Sequence, residues 1–198
     1  MLRSFAIMAS LLAAGIQPAA AEVIAKTETG FVSRNAVEVK ADPAEAWKAL
    51  IAPNLWWNGE HTYSGVAANM YLDAQATGCF CEKLPAAKDA PPGARGGSIE
   101  HMRVIYAAPG KVLRMAGGLG PLQSEAAGGM LTITLKPTVS GTRILWEYVV
   151  GGYMRYKTDE IAPLVDKVMN EQVARLAKHL APAEAGEADP IKAESAKP

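Results

Sequence analysis

Cys79 and Cys81, in the stretch TGCFCEKL, are the two cysteines of this 198-residue chain. One residue lies between them, which excludes a C-x-x-C redox site. On a strand they would face the same side, with Cα atoms roughly 6.6 Å apart and parallel Cβ vectors, the far limit for a disulfide. A bridge would require the strand to buckle, and Gly78 could permit a bulge there. Two thiols on one face could instead supply half of a zinc or copper site, with His101 on the next strand as a further ligand. The commonest fate of such a pair is burial as two small hydrophobes. That is the first expectation here, with no metal and no cofactor.

Three residues suit proton transfer: His101, Glu82 and Tyr63. In SIEHMRV, Met102, Val104 and Tyr106 read as one apolar face, which puts His101 and Arg103 on the other. His101 is then either a structural histidine or a polar contact to a ligand. Glu82 either pairs with a basic partner in a cavity or sits on the outer face. Tyr63 belongs with Trp56, Trp57 and His61 to the densest aromatic and polar cluster of the chain. Such residues combine large apolar area with a polar tip. They would cap the core beside a helix, or form a pocket mouth that closes on an apolar ligand. Met115, Trp146 and Tyr148 lie on strands, as core or as pocket wall. Gln123, in GGLGPLQ, could turn its amide toward a cavity. That stretch lacks the Lys and Ser/Thr of a phosphate loop and reads as a tight turn. His179 reads as a solvated residue near a helix end. The sequence displays no Ser-His-Asp set, clustered metal motif or paired carboxylates.

The elements that must position these residues follow from periodicity. FVSRNAVEVKA alternates in its second half, as a half-buried strand does. DPAEAWKALI follows, with Asp42 as N-cap, Pro43 at the first helical position and Glu45 placed for a capping box. APNLWWNGEHTYSG reads as a loop or one or two helical turns. Six short alternating segments come next, from NMYLDAQ to GTRILWEYVVGGY, separated by turn residues, and they predict an antiparallel meander. The connection 84–97, rich in Pro and Gly, reads as a mobile loop. From Asp159 to Leu180 apolar residues recur at helical spacing, with Thr158 as the expected N-cap. Pro163 lies early, where it costs little. A sheet apolar on one face must bury it, and this helix offers the long apolar stripe. The fold class is therefore α+β, about seven antiparallel strands curved around one C-terminal helix, with a short helical segment after the first strand.

The ends have other roles. MLRSFAIMASLLAAGIQPAAAEV has the charged, apolar and A-x-A order of a secretory signal peptide, with cleavage expected after Ala21. Its apolar run falls short of the roughly 20 residues of a membrane span. The expected location is the periplasm or the exterior, with no membrane span after cleavage. The domain runs from about 28 to 181, and 182–198 composes a disordered tail. The chain has 20 basic and 20 acidic residues, and loss of Arg3 with the leader leaves a net charge of −1. A nucleic-acid partner would need a basic excess, so none is expected.

With DPAEAWKAL, WW, HTYSG, GCFCE, EHMRVIYAAPGKVLRM, GGLGPLQ and VVGGY in that order, residues 30–181 resemble the SRPBCC superfamily, the START-like or birch-pollen-allergen helix-grip fold. The likeness is closest to exported bacterial members similar to heat-shock-protein ATPase activators and polyketide cyclases. The resemblance implies a largely apolar cavity between sheet and C-terminal helix. Trp56, Trp57, His61, Tyr63, His101, Met115, Gln123, Trp146 and Tyr148 are the expected ligand contacts. Three functions fit. The first is a binding module for a small apolar or amphipathic molecule. The second is a cyclase- or hydratase-type enzyme using His101, Glu82 or Tyr63. The third is a protein-interaction domain, ranked last because an exported protein would not meet a cytosolic partner. Fold alone does not choose among them.

Overall fold

The computed structural model describes residues 20–181. The expected leader, but for Ala20 and Ala21, and the expected tail lie outside the described residues. Eight strands form one antiparallel sheet: β1 (Ala20–Thr27), β2 (Gly30–Val39), β3 (Met70–Leu72), β4 (Cys79–Leu84), β5 (Gly97–Ala108), β6 (Val112–Ala116), β7 (Ala127–Thr138) and β8 (Gly141–Gly152). Their spatial order is β1-β2-β8-β7-β6-β5-β4-β3. Strands β3 to β8 make the expected meander, and the first two strands close onto its last member. β1 adds one strand to the expected set; Ala20 and Ala21 belong to the expected leader, and its other residues lie between that leader and the expected start of the domain at 28.

Helix α1 (Pro43–Leu50) starts where its signals place it. Asp42 Oδ1 accepts from the N–H groups of Ala44 and Glu45 at 2.8 and 2.9 Å, and the Glu45 carboxylate accepts from Asp42 N–H at 3.3 Å. This reciprocal box satisfies orphan donors of the first turn. Ala46, Trp47 and Leu50 are buried, as their spacing requires. Short 3₁₀ turns follow at Pro53–Leu55, Gly59–His61 and Ala67–Asn69.

Helix α2 (Thr158–His179) packs against β1 and β2. Its N-cap is Lys157 rather than Thr158. Thr158 is already helical and spends its hydroxyl on Thr27 O at 2.7 Å, tying the helix start to β1. A second tie explains two polar residues that interrupt the apolar reading of β2. Ser33 and Asn35 are fully buried beneath α2. Ser33 Oγ donates to Asp166 Oδ1 at 2.6 Å, and Asn35 Nδ2 donates to the same oxygen at 3.2 Å. Buried polar groups need such partners.

The inner faces of β7 and β8 supply the middle of the core through Leu131, Ile133, Ile144 and Trp146, opposite Met169, Val173 and Leu176 of α2. An open antiparallel sheet with one long C-terminal helix is a helix-grip arrangement. Among the described residues no helix is long and apolar enough to cross a membrane.

Candidate functional site

A cavity of about 570 Å³ opens beside α2. That volume suits a drug-sized molecule. One wall is the stripe Ile161, Leu164, Val165, Val168 and Met169, set by the helical repeat. Trp57 and Tyr63 of the segment after α1 form a second wall, and Leu119 and Pro121 of the β6–β7 connection a third. His101 of β5 reaches the lining as its main polar contribution from the sheet. Tyr63 and Leu164 are 52% and 60% exposed, and they mark the mouth.

His101 faces inward because β5 bulges there. Phe80 pairs with Met102 and Cys81 pairs with Glu100, so His101 is the extra residue of the ladder. A bulge breaks the two-residue alternation and re-aims a side chain. Both His101 and Met102 are consequently buried. This corrects the expectation that they occupy opposite faces. Gly117 permits the arrangement: its φ is +154°, and a Cβ there would stand 2.7 Å from His101 O and 2.9 Å from Met102 Cα. A second bulge, at Ile105, turns Ile105 and Tyr106 outward together, so Tyr106 leaves the apolar face assigned to it.

Glu82 lies behind His101 and is wholly buried. It faces inward, against the outward alternative. Its Oε2 accepts from Tyr63 N–H at 3.0 Å and lies 3.0 Å from His101 Nε2, while Oε1 accepts from Ser64 N–H at 2.5 Å. Burial by itself would raise this carboxyl. The hydrogen bonds received from Ser64, Tyr63 and His101 outweigh it and hold Glu82 below the usual carboxylate range. Burial lowers the His101 imidazole more than the adjacent Glu82 raises it, so the ring is neutral near pH 7. A neutral imidazole backed by a carboxylate can accept a hydrogen bond or a proton from a bound molecule.

The sign of the pH effect follows. His101 titrates below its ordinary 6.5 in the folded chain. As pH falls through that value the unfolded chain takes the proton first, so stability is full above it and declines below it. Glu82 acts in the same direction at lower pH, its contribution being present above 4.5 and lost as pH falls through the depressed folded value. The urea midpoint of unfolding should therefore drop between pH 7 and pH 5, and His101→Phe should flatten that step. A wild-type step unchanged in His101→Phe would contradict the assignment.

The wall that carries Trp57 and Tyr63 is latched from two sides. Arg175 Nε donates to Trp56 O at 2.8 Å, and Asn58 N–H donates to Gln172 Oε1 at 2.9 Å. His61 Nε2 lies 3.0 Å from Glu171 Oε2, and Asn58 Nδ2 donates to the other oxygen of that carboxylate. Across the mouth, Tyr63 Oη donates to Gln123 Oε1 at 3.1 Å and approaches Gly120 O at 3.3 Å.

Of the expected ligand contacts, Trp57, His61, Tyr63 and His101 line the cavity. Gln123 does not, because its amide bridges Tyr63 Oη and Glu100 O. Trp56, Met115 and Trp146 are core residues around a separate void of about 20 Å³, and Trp56 Nε1 is spent on Ala49 O at 2.8 Å. Tyr148 is buried and supports the rim, donating to Gly117 O and accepting from Leu119 N–H. Burial pushes its hydroxyl up to about 12, so it stays protonated. The three proton-transfer candidates do converge. Glu82 bonds His101, and the Tyr63 ring centroid lies 5.9 Å from that of His101, although the Tyr63 hydroxyl turns away to the rim. Leu119 and Pro121 were missed because GGLGPLQ reads as a turn. They sit at the start of a 3₁₀ turn, Gly120–Ser124, that brings apolar side chains to the rim.

Cys79 and Cys81 are bonded to each other, not buried as two separate thiols. Their Cα atoms are 5.4 Å apart, closer than the roughly 6.6 Å of a regular strand. The bulge accompanying the bridge falls on β5 rather than at Gly78. Gly78 serves a close approach instead, since a Cβ there would stand 2.3 Å from Asp73 O. The alternative metal set of Cys79, Cys81 and His101 is overturned, because bonded sulfurs have no thiolate to offer. Closing so short a loop stabilises by about 1.5 kcal/mol on chain entropy. Cys79→Ser with Cys81→Ser should lower the unfolding free energy by about that much. Iodoacetamide should modify neither sulfur before reduction and both after. Two modified thiols without reductant would contradict the bond.

No family model matches the chain, and no curated protein matches it. Solved structures of like fold do. An uncharacterised protein of Rhizobium leguminosarum superposes with a TM-score of 0.52 at 15% identity, covering 82% of this chain and 99% of its own. A protein of Rhodobacter sphaeroides gives 0.50 at 18% identity, covering 81% and 98%. At these identities the likeness establishes the fold of the chain and says nothing of its activity.

Proposed function

We propose that this chain is an exported binding module, a carrier or sensor for a small, mostly apolar molecule, within the SRPBCC superfamily. The observation that carries the reading is the cavity of about 570 Å³ whose helix wall is wholly apolar. Small-molecule sites combine such walls with a few placed polar groups, and His101 is one here. The export part rests on the leader pattern, and the Cys79–Cys81 bond supports it, since disulfides persist in oxidising compartments. Native mass spectrometry of the protein purified from a periplasm without detergent tests the reading. An organic adduct released on denaturation is the expected result. A bare mass, with no saturable uptake of any added apolar probe, would contradict it.

One observation favours a second reading. The Glu82–His101 pair has the geometry of a general base facing a cavity, which suits an enzyme of the cyclase or hydratase type. His101→Ala separates the two. A carrier keeps its ligand with modest loss, whereas an enzyme keeps binding and loses turnover.

A further inference from the structure

We infer that the cavity selects neutral apolar molecules bearing a hydroxyl group, an alcohol or a phenol, and that His101 Nδ1 accepts the hydrogen bond from that hydroxyl. The inference rests on the binding-module reading above and gives its ligand a chemical class.

The argument begins at Glu82. Its carboxylate already accepts two backbone N–H groups, from Tyr63 and Ser64. An ionised carboxylate is acceptor only, so the hydrogen shared with His101 must sit on Nε2. In the neutral ring this leaves Nδ1 as a bare acceptor. Nδ1 has no hydrogen-bond partner among the described residues, although His101 is only 6% exposed and borders the cavity.

The other polar side chains of the lining are already engaged. Trp57 Nε1 donates to His61 O, Thr62 Oγ1 donates to Gly59 O, and Tyr63 Oη is bonded to the opposite rim. His61 holds Glu171 through Nε2, and its side chain is 31% exposed, where water reaches its other nitrogen. Glu60 is exposed at the edge. Among the described residues His101 Nδ1 is thus the unpartnered side-chain nitrogen in the buried part of the lining, whereas Glu60 and His61 lie toward solvent.

Charge sharpens the selection. Among the described residues no Lys or Arg lines the cavity, whereas Glu60 does and Glu82 stands behind His101. A carboxylate or phosphate would lose its water there without gaining a cation, which is costly. An ether or ketone, acceptor only, would meet another acceptor at Nδ1. A hydroxyl has the hydrogen that Nδ1 lacks.

Three probes of one shape test this by calorimetry on the purified protein: 2-naphthol, 2-methoxynaphthalene and 2-naphthoate. The naphthol should bind about 5- to 10-fold more tightly than the methyl ether, the gain of one net hydrogen bond, and the naphthoate should bind most weakly. His101→Phe should bring the naphthol and ether affinities together, because the naphthol loses its acceptor and the ether no longer faces one. Long-range proton–nitrogen NMR of the wild type should find the His101 hydrogen on Nε2, with Nδ1 shifting when naphthol binds. Equal wild-type affinities, a preference that survives His101→Phe, tightest binding of the naphthoate, or a hydrogen on Nδ1 would each overturn the hydroxyl assignment while the cavity reading stands. Failure of all three probes to bind would remove the binding-module reading and this inference with it. If His101→Phe does not fold, the wild-type affinities and the NMR remain decisive.

Discussion

Glu82→Ala is expected to lower the unfolding free energy by about 3 to 5 kcal/mol, a large share of what holds a domain this size together. Three donors converge on that carboxylate: Tyr63 N–H, Ser64 N–H and His101 Nε2. Glu82 is wholly buried, so truncating it leaves all three donors without their acceptor. Each buried donor left without an acceptor costs about 1 to 3 kcal/mol. The segment carrying Trp57 and Tyr63 would also lose its anchor to β4. Glu82→Gln keeps one oxygen but turns an amide donor toward another donor, so its loss should be smaller, about 1 to 3 kcal/mol. Urea unfolding at pH 7 measures both. A loss below about 1 kcal/mol in Glu82→Ala would mean that this carboxylate does not organise the cavity wall.

Val168→Asp is expected to weaken binding of 2-methoxynaphthalene by about 100-fold or more, with little change in stability. Val168 is half-buried on α2 and lines the cavity. In the empty cavity a carboxylate there can keep its water. A bound naphthalene ring would strip that water and supply no partner, and desolvating an ion within a protein costs several kcal/mol. Calorimetry and urea unfolding on the same sample separate the two effects. An affinity within threefold of the wild type would place the ligand somewhere other than beside α2.

Much of the frame was legible. Asp42, Pro43 and Glu45 announce α1, and the stripe from Ile161 to Leu176 announces α2, because caps and periods are local properties of sequence. The strands of the meander were legible for the same reason. The site was less so, because it is made by departures from period. One extra residue in β5 turns His101 inward, and nothing in SIEHMRV marks where the ladder slips. The facing of Glu82 had to be read from its donors, and two of these lie about 20 positions earlier, at Tyr63 and Ser64. Regular strand spacing argues against the Cys79–Cys81 bond, and nothing in TGCFCEKL marks the pinched backbone of β4 that permits it. Trp56, Met115 and Trp146 read as ligand contacts but pack as core, because an aromatic or apolar residue on an inner face suits core and pocket alike. Only the packing tells the two apart.

Methyl and indole NMR of the protein with saturating 2-naphthol tests the central claim most directly. The account predicts shifts at Val165, Val168, Met169 and Trp57 around the cavity, and none at Ile105 or Val149, which lie exposed on strands away from its lining. Shifts confined to Ile105 and Val149, or no shifts anywhere at concentrations that saturate comparable apolar sites, would contradict it.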